Sequence, residues 1–250
     1  MSGKLKGKIA VVTGASKGIG AEIARQLGAE GATVVVNYSS SKEGADKVVA
    51  EITAKGGKAL ALQANLSKPA DVQKFFAEVK KAHGRVDILV NNAGIYEFAP
   101  LNEITPEHFY KLFDLNVLGL LLTTQEAAKL VGPEGASFIN ISSVVSTVTP
   151  PNAAVYSATK ASVDAITLTF AKELAPRKIR VNAINPGMIE TEGVQSAGID
   201  KGDMRKWVES VTPLGRIGQV GEIAPAAVFL ASGDSSYLTG ETIKIAGGFR

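Results

Sequence analysis

Lys8-Ile-Ala-Val-Val12-Thr13-Gly14-Ala-Ser16-Lys17-Gly18-Ile19-Gly20 is the stretch that decides the fold. Residues 8–12 form a short, continuously apolar, β-branched run, the pattern of a buried strand. From Ile19 to Ala29 the apolar residues Ile23, Ala24 and Leu27 recur at helical spacing, and Gly31 ends that helix. Between strand and helix lies Gly14-x-x-x-Gly18-x-Gly20. Glycines here let the backbone approach a pyrophosphate, where free N–H groups and the helix dipole favour an anion. The spacing differs from G-x-G-x-x-G, and glycine serves any tight turn. The strand–turn–helix context is what points to a nucleotide site.

The same alternation runs outward through the chain. Thr33–Asn37, Lys58–Ala64, Val86–Val90, Ser137–Ile141, Ile179–Ile184 and Glu241–Ile245 read as further strands. Helices are expected over 42–55, over 68–83 with Ser67 as cap and Pro69 in the first turn, and as one helix from Thr105 to about Leu130. Two more come later, one carrying Tyr156 and one over 222–231. Continuously apolar strands alternating with helices predict an α/β fold, a parallel sheet covered on both faces. No repeat or low-complexity linker interrupts the pattern, so residues 1–250 read as one domain.

Composition excludes several kinds of chemistry. Cysteine is absent, which removes disulfides, thiol nucleophiles and thiolate metal sites. The two histidines, His83 and His108, lie far apart in sequence, so a histidine metal site or a Ser-His-Asp triad is not expected. A net charge of +3 is too small to suggest nucleic acid, and Lys4, Lys6 and Lys8 suit a solvated terminus. The most apolar stretch, Leu115–Leu122, is too short for a bilayer and contains Asn116 and Gly119. With no apolar leader before the first strand, a cytoplasmic protein without membrane contact is expected.

Tyr156-Ser-Ala-Thr-Lys160 sits in an Ala-rich stretch with no Gly or Pro until Pro176. Residues four apart share a helix face, which brings phenol and ammonium together. A phenol titrates near 10, and a close cation lowers that value. The spacing is equally that of an ordinary amphipathic helix. The nucleotide reading is sharper. An acidic residue ending the second strand would bind the ribose 2′-OH of NAD. Asn37 is there instead, with Lys17 in the glycine turn and Ser39, Ser40, Ser41 and Lys42 following. A cation and hydroxyls without a carboxylate suit a 2′-phosphate, hence NADP(H).

With Thr13-Gly14-x-x-x-Gly18-x-Gly20, Asn91-Asn92-Ala93-Gly94, Asn116, Ser143, Tyr156-x-x-x-Lys160 and Pro186-Gly187 in this order, the chain resembles the short-chain dehydrogenase/reductase family over residues 7–248. The resemblance implies a Rossmann-type doubly wound sheet of about seven strands and a catalytic set of Asn116, Ser143, Tyr156 and Lys160. Tyr156 would be the general acid as hydride leaves the nicotinamide, and Ser143 would hydrogen-bond the substrate oxygen. Lys160 would lower the tyrosine pKa and hold the nicotinamide ribose, and Asn116 would anchor a water. The implied cofactor set is Gly14, Ser16, Lys17, Gly18, Ile19, Gly20, Asn37, Tyr38, Ser39, Asn65, Leu66, Asn92, Ala93, Gly94, Tyr156, Lys160, Pro186, Gly187, Ile189 and Thr191. Two positions depart from the family pattern. Asn65 replaces a common Asp, its amide oxygen still able to accept from an adenine, and Ala246 replaces a common acidic residue.

Substrate choice is expected in 95–100, 144–152 and 189–213. Tyr96, Phe98, Val145 and Pro151 make a mostly apolar wall beside Ser143. The last segment, with Gly193, Gly198 and Gly202, reads as a lid. Trp207 is either a lid anchor facing substrate or ordinary packing. The leading expectation is an NADPH-dependent reductase of a small-molecule ketone or aldehyde. A 3-oxoacyl-[acyl carrier protein] reductase is the alternative: Arg177 matches one carrier-docking position of such relatives, while Glu134 occupies the other. A sugar dehydrogenase and a non-catalytic NADP-binding regulator complete the set. The resemblance also implies a homotetramer, with helices over 105–130 and 155–175 at one interface and Ala158, Ala161 and Ala165 permitting close approach. Those alanines would equally serve packing against the sheet.

Overall fold

Seven parallel strands form one sheet in the computed structural model, which describes residues 3–196 and 202–250. The chain begins β1 (Ile9–Val12), α1 (Gly18–Ala29), β2 (Thr33–Tyr38), α2 (Lys42–Ala54), β3 (Lys58–Gln63), α3 (Pro69–His83) and β4 (Ile88–Asn91). Next come α4 (Pro106–Phe113), α5 (Leu120–Lys129), β5 (Ala136–Ile141), α6 (Val145–Val148), α7 (Ala154–Leu174) and β6 (Ile179–Pro186). The chain closes with β7 (Ile189–Glu190), α8 (Glu192–Ser196), α9 (Gly202–Val211), β8 (Gly218–Gln219), α10 (Val220–Ala231) and β9 (Thr242–Ile245). The large sheet has the order β3-β2-β1-β4-β5-β6-β9, and β7 and β8 make a separate two-residue ladder. This is the expected Rossmann-type α/β domain.

Strand parity explains the unbroken apolar runs. Successive side chains point to opposite faces, and both faces are covered. Val12, Val34, Val36, Val90, Ile139 and Ile184 pack with Ile23 and Leu27 of α1 and Ile223 and Leu230 of α10. Val11, Val35, Leu89, Phe138 and Val181 pack with Val72, Phe75 and Phe76 of α3 and Ala171 of α7. Because β1 pairs with both β2 and β4, the winding reverses there. The crevice at the carboxyl ends of β1 and β4 is therefore where such a sheet receives a ligand.

Two expectations need correction. The helix over 105–130 is not continuous: Asp114–Gly119 between α4 and α5 is a π turn. A π turn holds one extra residue, so it rotates the next helical turn and interrupts the regular helical face. Here it carries Asn116, 2% exposed, inward. Ser67 does not cap α3, whose N-cap position is Lys68 with no side-chain cap; Pro69 opens the helix as expected. The Ser67 amide and hydroxyl instead donate to Asn65 Oδ1 at 3.1 and 2.8 Å. Among the described residues no helix is long and apolar enough to cross a membrane.

Candidate active site

The glycine turn is clamped by the loop after β4. Thr13 Oγ1 accepts from the Asn92 and Ala93 amides at 2.8 and 2.9 Å, and Asn92 Nδ2 donates to the carbonyls of Thr13 and Gly14. The fit leaves no room for side chains. A Cβ on Gly14 (φ 59°) would lie 2.9 Å from Ala93 Cα, and one on Gly20 would lie 2.3 Å from Asn92 Nδ2. Asn92 and Ala93 therefore act first as the clamp of the turn. Beyond it α1 starts without a side-chain cap, with exposed Lys17 at its N-cap position. The Gly18 amide donates at 3.0 Å to a carboxylate oxygen of Glu192. This helix end thus already attracts an anionic oxygen, as the dipole argument requires.

Four residues expected at the nucleotide sit otherwise. Asn37 is 1% exposed and does not face the crevice. Its Oδ1 accepts from the Gly14 amide at 3.0 Å, and its Nδ2 points at the carbonyls of Tyr38, Leu62 and Ala64. Tyr38 and Leu66 are buried in the two core clusters. Ser39, first past β2, is exposed. The Asn65 oxygen, expected to be available to an adenine, already receives both Ser67 donors.

The four residues of the expected catalytic set converge at the carboxyl ends of β4 and β5. Asn116 is fixed on three sides: Oδ1 accepts from the Ile95 amide at 2.9 Å, and Nδ2 donates to the Ile95 carbonyl at 2.8 Å and Thr159 Oγ1 at 3.1 Å. One acceptor lone pair is left over. Lys160, 6% exposed, donates from Nζ to the Ile141 carbonyl at 2.9 Å, with Nζ 5.9 Å from the Tyr156 ring centre. The Ser143 hydroxyl lies close enough to the Tyr156 phenol to favour its ionised form slightly; its own contacts are to the Pro186 carbonyl at 3.5 Å, to which it donates, and the Val145 amide at 3.3 Å, from which it accepts. Ser142, the neighbouring candidate, is committed to the Lys160 carbonyl at 3.1 Å and 4% exposed.

The electrostatics reverse the expected direction. Burial pushes the Tyr156 phenol up to about 12, against a smaller lowering by the neighbouring Ser143 hydroxyl. Burial pulls Lys160 down to about 8, with Asp164 opposing. Proximity alone does not lower the tyrosine: desolvation of the phenolate outweighs a cation whose protons face a carbonyl. In the protein itself Tyr156 is a protonated hydroxyl at neutral pH.

Comparison with known proteins shows the family. Residues 14–250 match the family described as Enoyl-(Acyl carrier protein) reductase. An uncharacterized oxidoreductase of Methylorubrum extorquens is 55% identical over 99% of each chain. A 3-oxoacyl-[acyl-carrier-protein] reductase of Staphylococcus epidermidis is 41% identical over 96% of this chain and 98% of that one. The short-chain dehydrogenase/reductase of Serratia marcescens superposes with a TM-score of 0.93 at 34% identity, over 98% and 99% of the two chains. The chain is a short-chain dehydrogenase/reductase. It is thus an oxidoreductase of that family. A further neighbour, the angucycline C-6 ketoreductase LanV with bound NADP, superposes with a TM-score of 0.93 at 35% identity, covering 100% of this chain and 98% of that one.

In this short-chain dehydrogenase/reductase the apolar wall is aromatic at its centre. Tyr96 and Phe98 meet the Tyr156 ring edge-on at centroid distances of 6.2 and 6.1 Å. Val145 opens α6 and is half-buried, and Pro151 is exposed in the loop before α7. Trp207 on α9 packs edge-on against Phe249 at 6.0 Å, so its ring contact is with the C-terminal tail. The expected lid divides into β7, α8 and α9, and Gly198 lies outside the described residues. Gly187 packs on Ala246, whose Cβ would lie 2.9 Å from a Cβ at 187. Three polar residues near the site go beyond the expected set: buried Thr159 and Asn185, and half-buried Asp164. Asp164 extends the four-residue spacing of Tyr156 and Lys160, and that repeat is the signal that marks it.

Proposed function

We propose that this chain is an NADPH-dependent reductase of ketones or aldehydes, with Tyr156 as the general acid. The observation that carries the reading is the convergence of Asn116, Ser143, Tyr156 and Lys160 at the ends of β4 and β5, with the Tyr156 ring packed edge-on by Tyr96 and Phe98 and its phenol protonated at neutral pH. The nicotinamide would supply a hydride when bound. Ser143 and Tyr156 would both donate to the carbonyl oxygen, and Tyr156 would release its proton to that oxygen as negative charge builds. The Lys160 cation would stabilise the phenolate left behind. Asn116 would keep the loop after β4 in register with α7 through Ile95 and Thr159.

The start of α1, which Lys17 does not cap, would hold the pyrophosphate in place of the Glu192 carboxylate, with Gly14, Ser16, Gly18, Ile19 and Gly20 around it. Lys17 and Ser39, both exposed, would meet the 2′-phosphate. Lys42 is turned to Asp46 at 2.5 Å. NADPH should therefore give a higher kcat/KM than NADH, and Lys17→Glu should lower it by about tenfold for NADPH while leaving NADH nearly unchanged. A clear preference for NADH would refute this part.

An aromatic wall favours free ketones over sugars, which need polar partners. The carrier-protein alternative draws support from the reductase relatives of that name. Against it, the Arg177 guanidinium donates at 2.6 Å to the Ala128 carbonyl at the end of α5, and position 134 is an exposed glutamate. Free ketones assayed beside acyl-carrier thioesters separate the two; a preference for thioesters would reverse the order. A homotetramer is also proposed. Ala158, Ala161 and Ala165 are exposed on the single chain, with Leu168 48% exposed beside them, so the sheet does not use this face of α7. Light scattering should give four times the 26.0 kDa chain mass, and a monomer would refute it.

A further inference from the structure

Tyr156, Lys160 and Asp164 follow one another at four-residue spacing along α7 and share one face of it. Asn185 of β6, 1% exposed, lies against the last of them. Its Nδ2 is 3.1 Å from both carboxylate oxygens of Asp164, 3.2 Å from the Ser143 carbonyl and 3.3 Å from Ser146 Oγ. Its Oδ1 is buried without a partner. Charge fixes that orientation: turned over, the amide oxygen would face a carboxylate and a carbonyl, with the Ser146 hydroxyl the one group among these four contacts able to donate to it. A β6 residue thus leaves one oxygen unsatisfied so that its NH2 can bridge a carboxylate to the main chain of Ser143. Such an arrangement calls for an explanation beyond packing.

We propose that Asp164 and Asn185 are a positioning pair behind the candidate catalytic centre. The Asp164 charge keeps the proton on Lys160, and the Asn185 amide, held by that carboxylate, fixes the main chain at Ser143. The proposal rests on the roles given above to Ser143 and Lys160, and each member of the pair acts through one of them. The elements packed around Lys160 bring the Ile141 carbonyl of β5, Gly94 from the loop after β4 and Asn116 from the π turn, all uncharged. Among the described residues, the titratable groups bearing on it are the Tyr156 phenol, on the same helix, and Asp164. Burial draws the proton off Lys160, and Asp164 is the group that opposes it.

Two substitutions separate the two roles. Asp164→Asn removes the charge but keeps an oxygen for Asn185 to donate to. Asn185→Leu keeps the charge but releases Ser143; Asn185→Ala replaces it where leucine does not fold. The Lys160 titration is followed by 13C NMR of lysine-labelled apoprotein, with Lys160→Met identifying the resonance. Turnover is followed with NADPH and a ketone that the wild type reduces. Asp164→Asn should lower the Lys160 midpoint by about one pH unit and move the alkaline limb of kcat/KM with it, leaving the kcat plateau at lower pH nearly unchanged. Asn185→Leu should leave the midpoint in place, leave NADPH affinity nearly unchanged, and lower kcat by roughly tenfold or more at every pH. An unmoved midpoint in Asp164→Asn, or an unchanged kcat in Asn185→Leu, would overturn the pair. A wild type that reduces no ketone with NADPH would overturn the functional reading instead. The lysine titration needs neither substrate nor cofactor and would still decide the role of Asp164.

Discussion

Tyr156→Phe should lower kcat for carbonyl reduction by about a thousandfold or more while leaving the dissociation constant for NADPH within about twofold of wild type. The substitution deletes one oxygen and little else. The ring keeps its edge contacts with Tyr96 and Phe98, so the wall retains its shape. Ser143 keeps its contacts to the Val145 amide at 3.3 Å and the Pro186 carbonyl at 3.5 Å. What disappears is the proton that the carbonyl oxygen needs as hydride arrives. Stopped-flow fluorescence for binding and a single-turnover assay for chemistry separate the two quantities. Retention of more than a tenth of wild-type kcat would remove Tyr156 from the role of acid. Unchanged binding with lost turnover would also exclude the reading of this chain as a nucleotide-binding regulator, which needs no donor at 156.

Lys160→Met should do two opposite things: reduce turnover by at least a hundredfold and raise thermal stability. In the folded chain burial holds Lys160 down to about 8 from an ordinary 10.5. A shift of that size corresponds to roughly 3 kcal/mol carried by the cation at neutral pH. The folded pKa lies below the unfolded one, so the unfolded chain binds the proton more readily. The penalty is full below about pH 8 and fades as pH rises toward 10.5. Methionine keeps the aliphatic stem and drops the charge, at the loss of one hydrogen bond to the Ile141 carbonyl. A net gain on the order of 2 kcal/mol, or about 5 °C in melting temperature, is expected at pH 7 and should shrink at pH 10. A lower melting temperature at pH 7 would contradict it. The same titration sets the pH dependence of reduction: kcat/KM should fall as pH rises through about 8, because the neutral amine no longer stabilises the phenolate. A site that costs the fold stability in order to hold a cation is the usual trade between stability and activity.

Most of the fold is readable from Lys8 to Ile245 because burial on both faces leaves an unbroken apolar run in nearly every central strand, and glycines mark the turns. The π turn is not readable. Leu115, Val117, Leu118 and Leu120–Leu122 are apolar on every side, so the pattern gives no sign of the extra residue at 114–119. The candidate catalytic cluster is readable as a spacing of Asn116, Ser143, Tyr156 and Lys160. The direction of the Tyr156 and Lys160 shifts is not, because a spacing reports proximity and says nothing of how much water is lost. Asn37 misleads for a related reason. Its chain position marks the end of β2, but only the structure shows its side chain turned beneath the glycine turn. Asp164 is visible at four-residue spacing, yet the spacing alone gives it no role, since its partner Asn185 comes from another element.

That buried Asn37 amide has a consequence for anyone redesigning this protein to use a different nucleotide. The obvious edit is an acidic residue at 37, to offer a carboxylate to a ribose diol. Here the edit would strike a hinge pin of the scaffold. Aspartate would still accept from the Gly14 amide, but it would set a buried charge within 3.3–3.5 Å of the carbonyls of Tyr38, Leu62 and Ala64, with no N–H to answer them. The variant should be recovered as an unstable protein and not as one with exchanged preference. The programmable positions are the exposed Ser39 and Ser40, two and three residues further along the chain, where a new side chain meets solvent and leaves the turn intact.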